Sequence, residues 1–183
     1  MRFCQRNLLA CLFGLLCCGQ PAWAGGAAES RDSLEYAVKA AFLYNFASFT
    51  EWPAGVGNTL NLCVVGSDPF GAELDRLAGR SVAGRSLAVH RIGSGESLAS
   101  LANCQIVFVA QPAIVNLSRL LEQIRGKPVL TVADTPGAAR QGVILNMLTE
   151  QNRVQFEANL GAAHANGLTL SSKLLRLARE TMQ

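Results

Sequence analysis

Three short runs constrain this chain most: residues 60–66 (LNLCVVG), 105–110 (QIVFVA) and 128–133 (PVLTVA). Each is apolar almost throughout and rich in β-branched residues. None shows the polar alternation of a strand with one wet face, so each reads as a strand buried on both sides. Between them lie segments with helical spacing. One covers residues 70–77 behind Asp68-Pro69, a short one surrounds Leu98 and Leu101, and a stripe of Ile114, Leu117, Leu121 and Ile124 stops at Gly126. A weaker strand, residues 87–92, precedes the turn Gly93-Ser94-Gly95. Strand alternating with helix requires right-handed crossovers. The expected fold is therefore α/β, a single domain with a mostly parallel central sheet covered by helices on both faces.

The flanks depart from that rhythm. Ahead of the first strand, Leu34, Val38, Ala41, Phe42, Asn45 and Phe49 recur at helical spacing. Asp32 caps this expected helix, with Glu35 three residues on as in a capping box. Tyr44, Phe46 and Ala47 make its other faces apolar too, and Pro53 ends it by biasing Trp52 away from helical geometry. Residues 25–31 are small and polar and are expected to be disordered. Behind the last core strand, residues 143–148 and 154–157 flank a polar turn, which predicts a C-terminal β-hairpin. A short helix over 160–165, an extended stretch over 168–170 and a last helix capped by Ser171 follow. Leu174, Leu177 and Ala178 are expected on the inner face of that helix. There is no internal repeat and no linker.

The N-terminus reads as a targeting segment. Arg2 and Arg6 precede an apolar run over residues 8–18, and Ala22-Trp23-Ala24 is a small-x-small cleavage site. The run is shorter than the roughly 20 residues a permanent span needs. A lipoprotein would need a small residue before its cysteine, and Leu16 and Cys17 stand ahead of Cys17 and Cys18 instead. Cleavage between Ala24 and Gly25 is expected, releasing residues 25–183 as a soluble periplasmic domain. Its charge is then nearly neutral, because Arg2 and Arg6 contribute two of the +3. A nucleic-acid partner gains no support from that balance.

Export also removes Cys4, Cys11, Cys17 and Cys18 and leaves Cys63 and Cys104. An even pair in an oxidising compartment reads as a structural disulfide, the alternative being two buried free thiols on strands. Closing a loop of this length stabilises by roughly 4 kcal/mol in the chain-entropy account. Two sulfurs alone make no zinc site, and no metal or cofactor is expected.

Catalytic patterns are missing from the sequence. There is no P-loop, no complete dinucleotide fingerprint, no HExxH and no GxSxG elbow. His90 and His164 stand alone. Two carboxylates remain as candidates for a ligand loop, because ligands of open α/β sheets sit at the carboxyl ends of strands. Asp134 follows the strand ending at Ala133, and Asp68 follows the one ending at Gly66. The plainer alternatives are an Asx turn at Asp134 and a helix cap at Asp68.

Four segments together resemble a family of periplasmic proteins, the YfiR-like repressors. They are residues 39–53 (KAAFLYNFASFTEWP), 130–134 (LTVAD), 152–159 (NRVQFEAN) and 170–178 (LSSKLLRLA), in the same order and spanning nearly all of the exported chain. The resemblance implies regulation by binding, not catalysis. Proteins of this family repress a membrane diguanylate cyclase through its periplasmic sensor domain, lowering cyclic di-GMP and biofilm formation. An OmpA-like outer-membrane lipoprotein can sequester the repressor. Homodimers and a response to disulfide chemistry are further implications. This chain departs from its relatives at Ala138-Ala139-Arg140-Gln141-Gly142, and it lacks additional cysteines in its C-terminal half, so redox control would rest on Cys63 and Cys104.

Phe42, Phe46, Phe49 and Trp52 supply more aromatic area than one helix face buries, and Leu175 beside Arg176 lies off the last helix's inner stripe. Aromatic residues and Arg are enriched at hot spots. Phe49, Trp52, Leu174, Leu175 and Arg176 are therefore candidate partner-binding residues, with core packing as the alternative for each. The competing class of function is a single-domain periplasmic small-molecule-binding module using Asp68 and Asp134.

Overall fold

The three apolar runs become the middle of one eight-stranded sheet. A computed structural model of the chain describes residues 25–93 and 98–183. The targeting segment, its cleavage site and most of the Gly93-Ser94-Gly95 turn lie outside the described residues. In chain order the strands are β1 (Thr50–Glu51), β2 (Thr59–Val65), β3 (Ser81–Val82), β4 (Arg85–Ile92), β5 (Ile106–Val109), β6 (Leu130–Ala133), β7 (Leu145–Glu150), β8 (Arg153–Asn159), β9 (Thr169–Leu170) and β10 (Glu180–Met182). The large sheet has the order β10-β8-β7-β6-β5-β2-β4-β3, and β1 pairs with β9 in a small ladder of its own. Pairings from β4 through β7 are parallel, as the crossovers require. The β7–β8 hairpin and the β3–β4 edge are antiparallel, while β10 joins β8 in parallel.

Both faces are covered. One carries α1 (Gly25–Ser48), α2 (Ala72–Asp75), α4 (Leu160–Ala165) and α5 (Ser172–Leu175) over a core of Leu43, Phe46, Leu60, Leu62, Phe108, Met147 and Phe156. The other carries α3 (Leu117–Ile124) and 3-10 turns at Leu98–Asn103 and Gln111–Asn116 over Cys63, Val107, Val109, Leu120 and Ile124. Phe46 sits edge-on to Phe156 at 5.0 Å between ring centroids, which seats α1 on β8. Among the described residues, no helix is long and apolar enough to cross a membrane.

Several boundaries differ from expectation. The first helix begins at Gly25, not at the Asp32 cap, so residues 25–31 are helical. Glu35 then serves no capping box; it reaches Lys39 and Thr149 instead. The helix expected over 70–77 shrinks to α2, because Asp68 Oδ1 accepts from the Phe70 amide at 2.8 Å and holds a turn ahead of it. The hairpin turn is shorter than the polar stretch suggested. Only Gln151 and Asn152 lie outside the ladder, at φ 49° and 60°, the left-handed pair that matches strand twist. The last helix ends after four residues, and the chain returns to the sheet as β10. Leu177 consequently is 73% exposed and not on an inner face.

Candidate functional site

Two features bring the candidate residues together: a seam between the ends of the domain and a cleft at one end of the sheet. The seam is the β1–β9 ladder. Thr50 pairs with Leu170 and Glu51 with Thr169, and the Ser171 amide donates to the Phe49 carbonyl at 2.9 Å. Trp52 follows β1, and its Nε1 donates to the Ala47 carbonyl at 3.2 Å, folding the indole back on the end of α1. Ser171 caps α5 through its hydroxyl, which accepts from the Leu174 amide at 3.3 Å. Phe49, Trp52 and Leu175 are half-buried and pack on the same core, and Arg176 is exposed. The aromatic and C-terminal candidates, more than 120 positions apart, thus share one region. Leu174 is buried and supports the seam from beneath.

Asp68 and Asp134 do not share a site. Asp68 accepts from Arg91 Nε at 2.7 Å as well as from the Phe70 amide, so it fixes a loop. The strand order changes direction between β2 and β5, the usual ligand crevice of such sheets. That crevice is filled here: Gly66, at φ +97°, brings its backbone so near Ala113 that a Cβ would stand 3.1 Å from the alanine methyl.

The cleft lies farther along the sheet, at the carboxyl end of β6. Only Val132 and Ala133 of β6 pair with β7, opposite Leu145 and Asn146, so residues 147–150 project past the end of β6. They make one wall. Glu35, Tyr36 and Lys39 of α1 make another, and Pro136, Gly137 and Arg140 lie across from β8 and β10, enclosing about 590 Å³. Asp134, just after β6, is 9% exposed. Its Oδ2 accepts from Lys39 Nζ at 2.7 Å and from the Tyr36 hydroxyl at 3.0 Å. Lys39, itself buried, also reaches Glu35 Oε1 at 2.6 Å and lies 4.5 Å from the centre of the Tyr36 ring. Thr149 donates to the same Glu35 oxygen at 2.8 Å.

The electrostatics follow from these contacts. Burial pushes the Glu35 carboxyl up, but hydrogen bonds from Lys39 and Thr149 and the Lys39 charge outweigh it and hold it below the ordinary carboxylate range. Burial, then the charge and hydrogen bond of Asp134, push the Tyr36 phenol far above its usual value. Tyr36 is therefore a fixed hydroxyl donor. On the sheet side, Arg179 pairs with Glu150, and Arg140 stands 3.5 Å from Glu180. Glu157 is 9% exposed, and its Oε2 accepts from Asn146 Nδ2 at 3.2 Å.

Cys63 of β2 and Cys104, just ahead of β5, form a disulfide with Cα atoms 6.0 Å apart. It ties the middle of the sheet to the 3-10 turn at Leu98–Asn103. A groove bordered by His90, Arg91, Ser100 and Asn103 reaches it.

Sequence reasoning singled out Asp134 here, gave Glu35 only a capping role, and gave no site role to Tyr36, Lys39, Asn146 or Glu157. One signal was available for two of them. Lys39 and Asn146 are polar residues inside stretches that are otherwise apolar, and a buried polar residue needs a partner. Three of the four segments of resemblance meet in this cleft, through Lys39, Asp134 and Glu157. A model of the YfiR/HmsC-like family matches residues 36–179, most of the chain and all four of those segments. The chain belongs to the YfiR/HmsC-like family.

Proposed function

We propose that this protein is a periplasmic regulator that works by contact: it binds the periplasmic sensor domain of an inner-membrane diguanylate cyclase and represses it. Membership of the YfiR/HmsC-like family supports a role in regulating such a cyclase and not in catalysis. The observation that carries the contact reading is the β1–β9 seam. It gathers half-exposed Phe49, Trp52 and Leu175 beside exposed Arg176 and Leu177. Large apolar side chains left at a surface beside an Arg have the composition of a binding patch. In this reading Leu174 holds the patch from below, and an OmpA-like outer-membrane lipoprotein competes for the repressor, lifting the block. A homodimer is a further state to be measured.

The test is a pull-down of the exported protein with the cyclase's periplasmic domain, paired with cyclic di-GMP measurement in cells. Leu177→Asp changes an exposed residue and leaves the core alone. It is expected to weaken capture at least tenfold and raise cyclic di-GMP, with unchanged far-UV circular dichroism. Full capture and full repression by Leu177→Asp and Leu175→Asp alike would overturn the seam as the contact surface.

A further inference from the structure

Most charges in the cleft are already matched. Asp134 is satisfied by Lys39 and Tyr36, Glu35 by Lys39 and Thr149, Glu150 by Arg179, and Glu180 by Arg140. Glu157 is the exception. It lines the cleft with its side chain nine-tenths buried, and among the described residues no cation stands within ion-pair distance of it. Arg179 senses its charge but gives its guanidinium to Glu150. Among the described residues, the one side-chain donor to Glu157 is the Asn146 amide, whose own Oδ1 is buried without a hydrogen-bond partner there. A carboxylate taken out of water without a counter-charge is costly, and so is a buried carbonyl oxygen left unmatched. Glu157 thus lines the cleft with one amide donor and, among the described residues, no counter-charge.

We propose that this cleft binds a small organic molecule carrying a primary ammonium group, with Glu157 as its counter-charge. An ammonium has three donors, no acceptor and a positive charge, which suits a cleft-lining carboxylate without a counter-charge. A cleft of about 590 Å³ is of the size that holds a ligand of several heavy atoms, not a bare ion. Counted over its lining, the cleft holds five carboxylates, Glu35, Asp134, Glu150, Glu157 and Glu180, against three cations, Lys39, Arg140 and Arg179, which favours a cationic guest. Arg140 is mostly exposed and only loosely paired with Glu180, so it is free to turn toward an acidic group on the guest. Two sources of the shared chemistry follow: a free amino acid, which would use Arg140 as well, and a diamine, which would not.

Calorimetric titration of the purified protein with putrescine and with lysine tests this, with propionate as a control lacking the amine. Saturable binding of at least one amine and none of propionate is expected. Glu157→Gln keeps the shape and a partner for Asn146 but removes the charge, and is expected to weaken binding at least tenfold. Arg140→Ala is expected to weaken lysine several-fold and leave putrescine unchanged if the guest is an amino acid. Should Glu157→Gln fold poorly, amide chemical shifts of the unaltered protein serve instead; they are expected to move at Gly137, Glu157 and Glu180. No saturable binding of either amine, shifts scattered away from these residues, or equal affinity in Glu157→Gln would overturn the proposal. Because the cleft and the β1–β9 seam use different residues, these outcomes leave the repressor reading to its own test.

Discussion

Replacing Lys39 with methionine probes the bond between α1 and the sheet most directly. Lys39 Nζ lies 2.7 Å from Asp134 and 2.6 Å from Glu35, and the Lys39 and Asp134 side chains are 5% and 3% exposed. At that separation and an effective dielectric constant of about 20, attraction to Asp134 alone is about 6 kcal/mol before desolvation is set against it. Breaking one side of a buried pair costs about 3–5 kcal/mol, because the remaining charge is left uncompensated. Lys39→Met leaves Asp134 with only the Tyr36 hydroxyl, so the full range applies. Asp134→Asn is milder, at about 1–2 kcal/mol, since Lys39 keeps Glu35. The double replacement removes the stranded carboxylate and should recover at least ~1 kcal/mol relative to the sum of the single losses. Urea unfolding followed by fluorescence measures all three; Trp52 is the one tryptophan in residues 25–183 and lies just past the end of α1. A Lys39→Met loss below about 1 kcal/mol, or strict additivity in the cycle, would refute the claim that a desolvated ion pair anchors the helix.

Other outcomes follow from the same geometry. Glu35 has a depressed pKa in the folded state, so its contribution is present above the unfolded value near ~4.3 and disappears as pH falls through the lower folded value. Glu35→Gln should accordingly flatten the acid limb of stability between neutral pH and about pH 3, read from urea midpoints; an unchanged acid limb would count against the Lys39 and Thr149 contacts. Tyr36 has its pKa raised, so stability is complete below about pH 10 and falls as alkali forces its ionisation. In a 295 nm titration, Tyr36→Phe should lose no phenolate signal below about pH 10. Reduction, or replacement of Cys63 and Cys104 by alanine, should cost about 4 kcal/mol of unfolding free energy, with no loss if the bond contributes nothing. Changing Gln151-Asn152 to Asn-Gly suits the two left-handed turn positions and should stabilise by about 0.5–1 kcal/mol, seen as a higher thermal midpoint.

The legible parts of the fold were those whose burial is written in consecutive residues. The runs that became β5 and β6 are fully buried, and β2 is buried from Leu62 to Val65, with Asn61 half-buried ahead of it. The ladders β1–β9 and β8–β10 left no such trace. Strands of two or three residues with exposed positions exist because a neighbour offers hydrogen bonds, not because of their own periodicity. Leu177 was misplaced for the same reason: helical spacing predicts a face only while the helix lasts, and α5 stops two residues earlier. The cleft was only partly legible. Asp134 stands out after an apolar strand, but its partners Tyr36 and Lys39 lie 98 and 95 positions away in the chain. Pairwise contacts at that range are fixed by sheet order and helix placement.

Joining the first strand of the domain to its second-to-last also sets an order in time. A chain crossing the inner membrane emerges amino end first, and α1 and β1 would wait with their edge unmatched until Thr169 and Leu170 arrive. The patch around Trp52 and Leu175 therefore assembles only when export is nearly complete. A stalled or clipped molecule would lack it.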